Sequence, residues 1–190
     1  MAIYDIVLRN RSFRRFYQEE RIEREVLVNL VELARLSASG SNKQALKFVL
    51  INDPGKCDIL FPSVEWAGYL ENWDGPTKGE QPSAYIIILG DTAISKTFGV
   101  DHGIAAQSIL LGATEKGYGG CMIASIRRKK LRHDLKIPGE YEILLVLALG
   151  KPKEKVIIDE VRDGDIKYWR DNKDVHHVPK RSIRDLIVKL

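Results

Sequence analysis

Residues 141–149, Tyr-Glu-Ile-Leu-Leu-Val-Leu-Ala-Leu, set the strongest limit on what this chain can become. A strand of that composition is apolar on both faces, so it belongs inside a sheet that is covered on two sides. Two further β-rich runs supply neighbours: 46–51 (LKFVLI), stopped by the turn signal Asn52-Asp53-Pro54-Gly55, and 84–89 (AYIIIL), ended by Gly90. The cover comes from helices. Residues 23–36 place Val26, Leu27, Leu30, Val31, Leu33 and Ala34 at the spacing of an amphipathic helix. Residues 101–116 are apolar on most sides, which predicts a central helix. Gly117-Tyr118-Gly119-Gly120 breaks it, ahead of a short strand at 121–126 and a helix at 127–135. Residues 56–83 read as irregular, with Trp66, Tyr69 and Trp73 among glycines and prolines. After Pro152 the chain is polar until a last apolar stretch, 183–190. The expectation is one layered domain over residues 1–190, mixing helices with about four clear strands.

Several function classes drop out. The 30 Lys and Arg against 26 Asp and Glu leave a net charge of +4, too small for general nucleic-acid binding. The basic run Arg127-Arg128-Lys129-Lys130 has no interleaved aromatics and reads as a decorated helix surface. No run approaches the length of a membrane span. The first 15 residues lack the apolar core of a secretory signal, so the chain is expected in the cytoplasm. Cys57 and Cys121 stand 64 positions apart with no C-x-x-C, and both read as buried thiols. His176-His177 falls in a polar region and reads as a solvated loop; His102 and His133 lack a ligand-type partner one turn away. There is no P-loop and no G-x-S-x-G, and Gly117-x-Gly119-Gly120 follows a helix instead of a strand, the reverse of a dinucleotide fingerprint. A hydrolase or metalloenzyme is therefore not expected.

Anion binding is better supported. Arg9, Arg11, Arg14 and Arg15 crowd one short segment, where Phe13 and Phe16 can anchor the backbone. Guanidinium groups make charge-assisted, often bidentate bonds to phosphate, and Ser12 adds a small donor. Lys180-Arg181, approached through the rigid Pro179, can close such a site from the other end of the chain. The small polar loop Ser39-Gly40-Ser41-Asn42-Lys43-Gln44 lets backbone amides approach a planar polar ligand, with Asn42 offering both donor and acceptor. Packing is the simpler account of the aromatic group, with Trp66 and Tyr69 as candidates for substrate contact.

The order of these pieces resembles the nitroreductase family. Arg11-Ser12-Phe13-Arg14-Arg15-Phe16 matches its R-S-x-R-x-F signature, and Ala38-Ser39-Gly40-Ser41-Asn42-Lys43-Gln44 is similar to its P-S-x-x-N-x-Q-P loop. The match continues through Asp101-His102-Gly103-Ile104-Ala105-Ala106-Gln107, Glu115-Lys116-Gly117-Tyr118-Gly119-Gly120-Cys121, Leu149-Gly150-Lys151-Pro152 and Val178-Pro179-Lys180-Arg181. The chain departs from the pattern at Asn10, where many members carry an arginine, with Arg9 beside it as the candidate replacement. It departs again at Ala38 and Ala45 in place of loop prolines, and at Leu46 in place of a frequent tryptophan. The segment between Leu46 and Ala84 is short, as in a compact branch of the family.

The resemblance implies an α+β fold: an α/β/α sandwich with a mixed, mostly antiparallel central sheet, built as an intertwined homodimer with FMN at the interface. It implies an FMN-dependent oxidoreductase using NADH or NADPH. Hydride would pass through flavin N5 by a ping-pong route to an acceptor such as a nitroaromatic or quinone. Carried over by position, Arg11, Ser12, Lys180 and Arg181 would hold the phosphate, and Arg14 would lie near the N1/O2 edge of the flavin. Ser39, Gly40 and Asn42 would contribute from the loop, the first two from the partner subunit, and Ile123, Ala124 and Ser125 would run beside the ring. The flavin carries the chemistry, so no protein nucleophile is expected. The alternative is an FMN protein that stores or senses the cofactor without turnover.

Overall fold

The computed structural model describes residues 2–71 and 73–188. Its centre is β5 (Tyr141–Pro152), the strand that the apolar run demands. On one side β5 pairs antiparallel with β3 (Ala84–Asp91), and β3 with β2 (Leu46–Ile51). On β5 there also lie β4 (Gly119–Ile123) and the two-residue β1 (Phe16–Tyr17), both antiparallel. Every ladder of this sheet is antiparallel, and parallel pairing is added at its rim by a bridge between Ser12 and Gly120.

Alternation along the strands sorts the core into two layers. Ala84, Ile86 and Ile88 of β3 and Leu145, Leu147 and Leu149 of β5 face α2 (Arg24–Leu36) and α4 (Asp101–Glu115). Tyr85, Ile87, Leu89, Val146 and Ala148 face the other way, among residues of α3 (Pro54–Leu60) and α5 (Arg128–Asp134). This is the expected α/β/α sandwich. A bulge lies within β5: Ile88 pairs with Leu145 but Leu89 pairs with Ile143, leaving Leu144 as the extra residue. The extra residue reverses the parity, so Ile143 joins Val146 and Ala148 in the second layer. Arg128 donates from Nε to the Ile143 carbonyl (2.9 Å) and from Nη2 to the Leu144 carbonyl (3.4 Å). Its neighbours Arg127 and Lys130 pair with Glu65 and Asp134. Arg128 thus ties α5 to β5, while the pairs of Arg127 and Lys130 lie at the surface.

Several segments differ from the sequence expectation. Asn52-Asp53-Pro54-Gly55 is not a free turn. Asp53 caps α3, accepting from the Lys56 N–H at 2.9 Å, and Pro54 occupies the first turn. Residues 56–83 therefore begin with a helix. A further helix, α1 (Ile3–Arg9), precedes the arginine segment. The strand expected at 121–126 begins at Gly119, because Gly119 and Gly120 already pair with Gly150 and Leu149. The polar segment after Pro152 forms a second sheet of β6 (Val156–Glu160), β8 (His176–Lys180) and β7 (Trp169–Arg170), with β6 and β8 parallel. His176 and His177 lie in β8, and His176 is completely buried, so the solvated loop is corrected to a strand. Of the apolar stretch 183–190, Ile183–Leu186 form an exposed helix, α6, while residues 189–190 lie outside the described residues. Among the described residues no helix is long and apolar enough to cross a membrane.

Gly120 carries the tightest approach at the site's edge. A Cβ there would stand 2.2 Å from the Ala148 carbonyl oxygen, a backbone atom that cannot swing aside. Gly120→Ala should destabilise the protein by about 2 kcal/mol or more. The expected reading is a fall in melting temperature of about 4–8 °C, and an unchanged melting curve would show that the strand can shift to admit the methyl.

Candidate functional site

Two adjoining cavities open along β4, one of about 380 Å3 and one of about 240 Å3, and both are lined by Arg14, Met122 and Tyr168. The fold forms them by alternation. Cys121 and Ile123 are buried in the second core layer, while Met122 between them is 40% exposed. The N-terminal segment supplies the adjoining wall. Ser12 bridges to Gly120, and the Phe13 N–H donates to the Gly120 carbonyl at 3.0 Å.

The larger cavity gathers charge of one sign. Arg11, Ser12, Arg14 and Lys180 line it together with Asn10 and Gln107, and no carboxylate among the described residues does. Arg11 donates from Nη2 to the Val7 carbonyl at the end of α1 (2.8 Å). Its Nε is buried without a partner in the structure, and burial lowers its pKa from the ordinary arginine value. A buried unpaired donor on a cation is costly, and an anion in the cavity would satisfy it. The residues present therefore fit a phosphate group. Ile123, Ala124 and Ser125 line the smaller cavity with Trp66. Trp66 is buried and packs near Phe61, with ring centroids 5.7 Å apart, while Tyr69 is exposed beside Tyr168.

Arg14 stands where the cavities meet. Its Nη1 donates to the Ser12 carbonyl (3.2 Å) and to His176 Nε2 (3.3 Å), and its guanidinium lies 4.9 Å from the Tyr168 ring centroid. Burial first, then the charges of Arg14 and Arg170, pushes His176 down to about 4. His176 is therefore neutral at physiological pH and accepts from Arg14 through Nε2.

Other expected residues lie elsewhere in the protomer. Ser39 opens on a separate groove of about 370 Å3, beside Gln44, Phe48 and Asp101. The loop is set by Asp101 at the start of α4, which accepts from Ser39 Oγ (2.7 Å) and from the Gly40 N–H (2.9 Å). Ser41, Asn42 and Gln44 all have positive φ. Gly40 and Asn42 line neither cavity along β4, and Arg181 is exposed and lines neither. The thiols are unsuited to nucleophilic work. Burial pushes Cys57 up to about 11 and Cys121 up to about 12. Among the described residues no group of three or more His, Cys, Asp or Glu side chains could hold a metal ion.

The nitroreductase family model matches residues 7–65 and 70–151, which include β4, the N-terminal segment beside it and the loop at Ser39. The chain belongs to the nitroreductase family. An Archaeoglobus fulgidus protein that carries the name NADH dehydrogenase/NAD(P)H nitroreductase is 26% identical over 157 residues, covering 78% of this chain and 85% of the relative. A solved FMN-dependent nitroreductase from Clostridium difficile R20291 superposes with a TM-score of 0.64 at 24% identity, over 79% of this chain and 87% of that one. A nitroreductase family protein from Clostridium novyi NT superposes with a TM-score of 0.66 at 22% identity, over 97% of this chain and 99% of that one. That last overlap extends the shared fold through residues 153–180, beyond the stretch matched by the family model. As a member of the nitroreductase family, the chain is an oxidoreductase.

The sequence reading missed Met122, Tyr168, His176 and Glu154. Glu154 accepts from the backbone N–H groups of Arg14 and Arg15 and from Arg170 Nη2 (2.9 Å), with its side chain fully buried. Strand alternation marks Met122 once Cys121 and Ile123 face inward, but no local pattern marks the other three, because each acquires its place through contacts with residues far off in sequence.

The depressed pKa of His176 gives a signed prediction. Between pH 6.5 and about 4 the unfolded chain binds a proton at this position that the folded chain does not. The contribution of His176 to stability therefore falls as pH drops through that window, by roughly 3 kcal/mol in all, and is constant below it. Denaturant melts of His176→Gln should lose most of this slope; a variant with the wild-type slope would place the titration elsewhere.

Proposed function

We propose that this chain is an FMN-dependent oxidoreductase that takes reducing equivalents from NADH or NADPH and passes them to a small acceptor such as a nitroaromatic or quinone. The supporting observation is the larger cavity, where Arg14 and Lys180, from opposite ends of the chain, join Arg11 with its buried, unpartnered Nε, and no carboxylate among the described residues lines the space. A ligand with a terminal phosphate suits that end. A flat ring system suits the adjoining space along β4, and the combined volume lies in the range of about 300–1,000 Å3 usual for small-molecule sites. The solved relative from Clostridium difficile is described as FMN-dependent, which favours the same cofactor here.

In this reading Arg11, Ser12 and Lys180 bind the phosphate, and the backbone of Ile123, Ala124 and Ser125 orients the ring. FMN, when bound, supplies two-electron hydride chemistry between the nicotinamide and the acceptor. Arg14 holds a fixed positive charge beside the edge that becomes anionic on reduction, which raises the reduction potential. Its guanidinium is oriented before any ligand arrives, by the Ser12 carbonyl and by His176 Nε2. Trp66 and the N-terminal segment exclude water from the two walls.

The homodimer is part of the same proposal. Ser39 and Gly40 lie outside the β4 cleft of their own protomer, so they reach an FMN only from a partner subunit. Apolar side chains left exposed on α1 (Ile3, Tyr4, Val7, Leu8) and at the C-terminal end (Ile183, Leu186, Ile187, Val188) offer the surface that such a partner would cover.

The test is anaerobic mixing of the FMN-loaded protein with NADH or NADPH. Bleaching of the flavin band is expected, and cofactor that is bound but never reduced would leave the storage or sensing role instead. Arg11→Ala should weaken FMN binding by about 10- to 100-fold, the loss of a charge-assisted bond. Arg14→Ala should lower the midpoint potential by about 30 mV, equivalent to about 1.4 kcal/mol in a two-electron couple. Unchanged affinity and potential in these variants would remove both residues from the site.

A further inference from the structure

We propose that Tyr168 decides which acceptors the cleft takes, favouring flat, electron-poor aromatic or quinoid molecules that stack on its ring; the inference rests on the FMN reading above.

Three residues line both cavities, and each comes from a different part of the chain: Arg14 from the N-terminal segment, Met122 from β4 and Tyr168 from the approach to β7. Tyr168 is the aromatic one, and it is half-buried. Its ring is fixed from several directions. The Tyr69 backbone N–H donates to its hydroxyl at 3.4 Å, and the Tyr69 ring lies 4.9 Å away, tilted by 51°. The His176 ring lies 5.3 Å away on the inner side. Two residues on, Arg170 is bound to the buried Glu154 at 2.9 Å and its guanidinium sits 4.4 Å from the Trp73 ring centroid. The small second sheet thus delivers a pre-positioned phenol ring to the junction of the two cavities. A wall that is already ordered loses little entropy when a ligand packs against it.

The chemistry of the ring sets the preference. A phenol is an electron-rich π system, and offset stacking with an electron-poor ring is favourable. Quinones and nitroaromatics are such rings, and Tyr69 at 48% exposure extends the aromatic surface toward solvent. A compact inorganic oxidant gains nothing from either ring. The two acceptor types also differ in balance. A quinone takes two electrons and two protons to become the hydroquinone: NAD(P)H plus H⁺ plus quinone gives NAD(P)⁺ plus hydroquinone. Ferricyanide takes one electron and no proton, so one NAD(P)H reduces two ferricyanides to ferrocyanide and releases one H⁺.

The experiment uses the oxidised, FMN-loaded protein titrated with menadione in the absence of any reductant, so that binding is read without turnover. Tyr168→Ala and Tyr168→Leu should weaken menadione binding about five- to tenfold, and Tyr168→Phe should stay within twofold of wild type. FMN affinity and NADH-driven ferricyanide reduction are read on the same variants, and the loss in menadione affinity should exceed the loss in either. Leu retains apolar bulk without a π face, so it separates stacking from simple filling and stands in should the Ala variant fold poorly. Wild-type menadione affinity in the Leu variant would overturn the proposal, as would selective loss of FMN binding in the Ala and Leu variants, which would make Tyr168 a cofactor-holding residue. Wild-type protein that fails to retain FMN would instead overturn the functional reading on which the proposal stands.

Discussion

One buried carboxylate holds the site in shape. Glu154 has no exposed side-chain surface, and its oxygens take the backbone N–H groups of Arg14 and Arg15 and the guanidinium of Arg170. A buried charge without partners costs several kcal/mol, so the two chain segments that supply those donors are held where the carboxylate is. One is the N-terminal segment, whose passage beside β4 turns Arg14 into the cleft. The other is the small second sheet, which brings Tyr168, His176 and Lys180 to the same place. Arg15 adds a second tie, donating to Glu80 at 2.5 and 2.8 Å, with Lys153 on the same carboxylate at 3.0 Å. The Arg15 guanidinium holds the Glu80 carboxyl down to about 2, so this tie persists in all but strong acid.

Close backbone approach is the second constraint. Gly119, Gly120 and Gly150 meet where β4, β5 and the N-terminal segment converge. A Cβ at Gly119 would meet the Phe13 ring at 2.5 Å, and one at Gly150 would meet the Phe16 ring at 2.8 Å. The two phenylalanines anchor the arginine segment, and the glycines make room for them. Anchoring matters to function because a guanidinium that is already oriented gives up less freedom on binding an anion.

The central sandwich was legible because its signals are local. The run at 46–51 coincides with β2, and the helical spacing at 23–36 gives α2 to within one residue. The arginine motif was legible for a similar reason, since Arg11, Ser12 and Arg14 sit within four positions and face one cavity with Lys180. Residues 153–180 were not, because β7 has two residues, β8 is paired in parallel with a strand some twenty residues back, and neither shows an apolar alternation. The burial of His176 follows from that pairing, and so do the positions of Tyr168 and Glu154. α3 did leave a signal, Asp followed by Pro, but the same pair opens turns as readily as helices. The bulge at Leu144 has no sequence mark at all; it is visible only once Ile143 is found facing the layer of Val146.

In the proposed site, cations from the two ends of the chain grip one phosphate. Parallel equilibrium titrations with FMN and with riboflavin, which differ only in that group, test it most directly. FMN should bind at least a hundredfold more tightly than riboflavin, as expected for two or more charge-assisted contacts. Equal affinity for the two would contradict the claim.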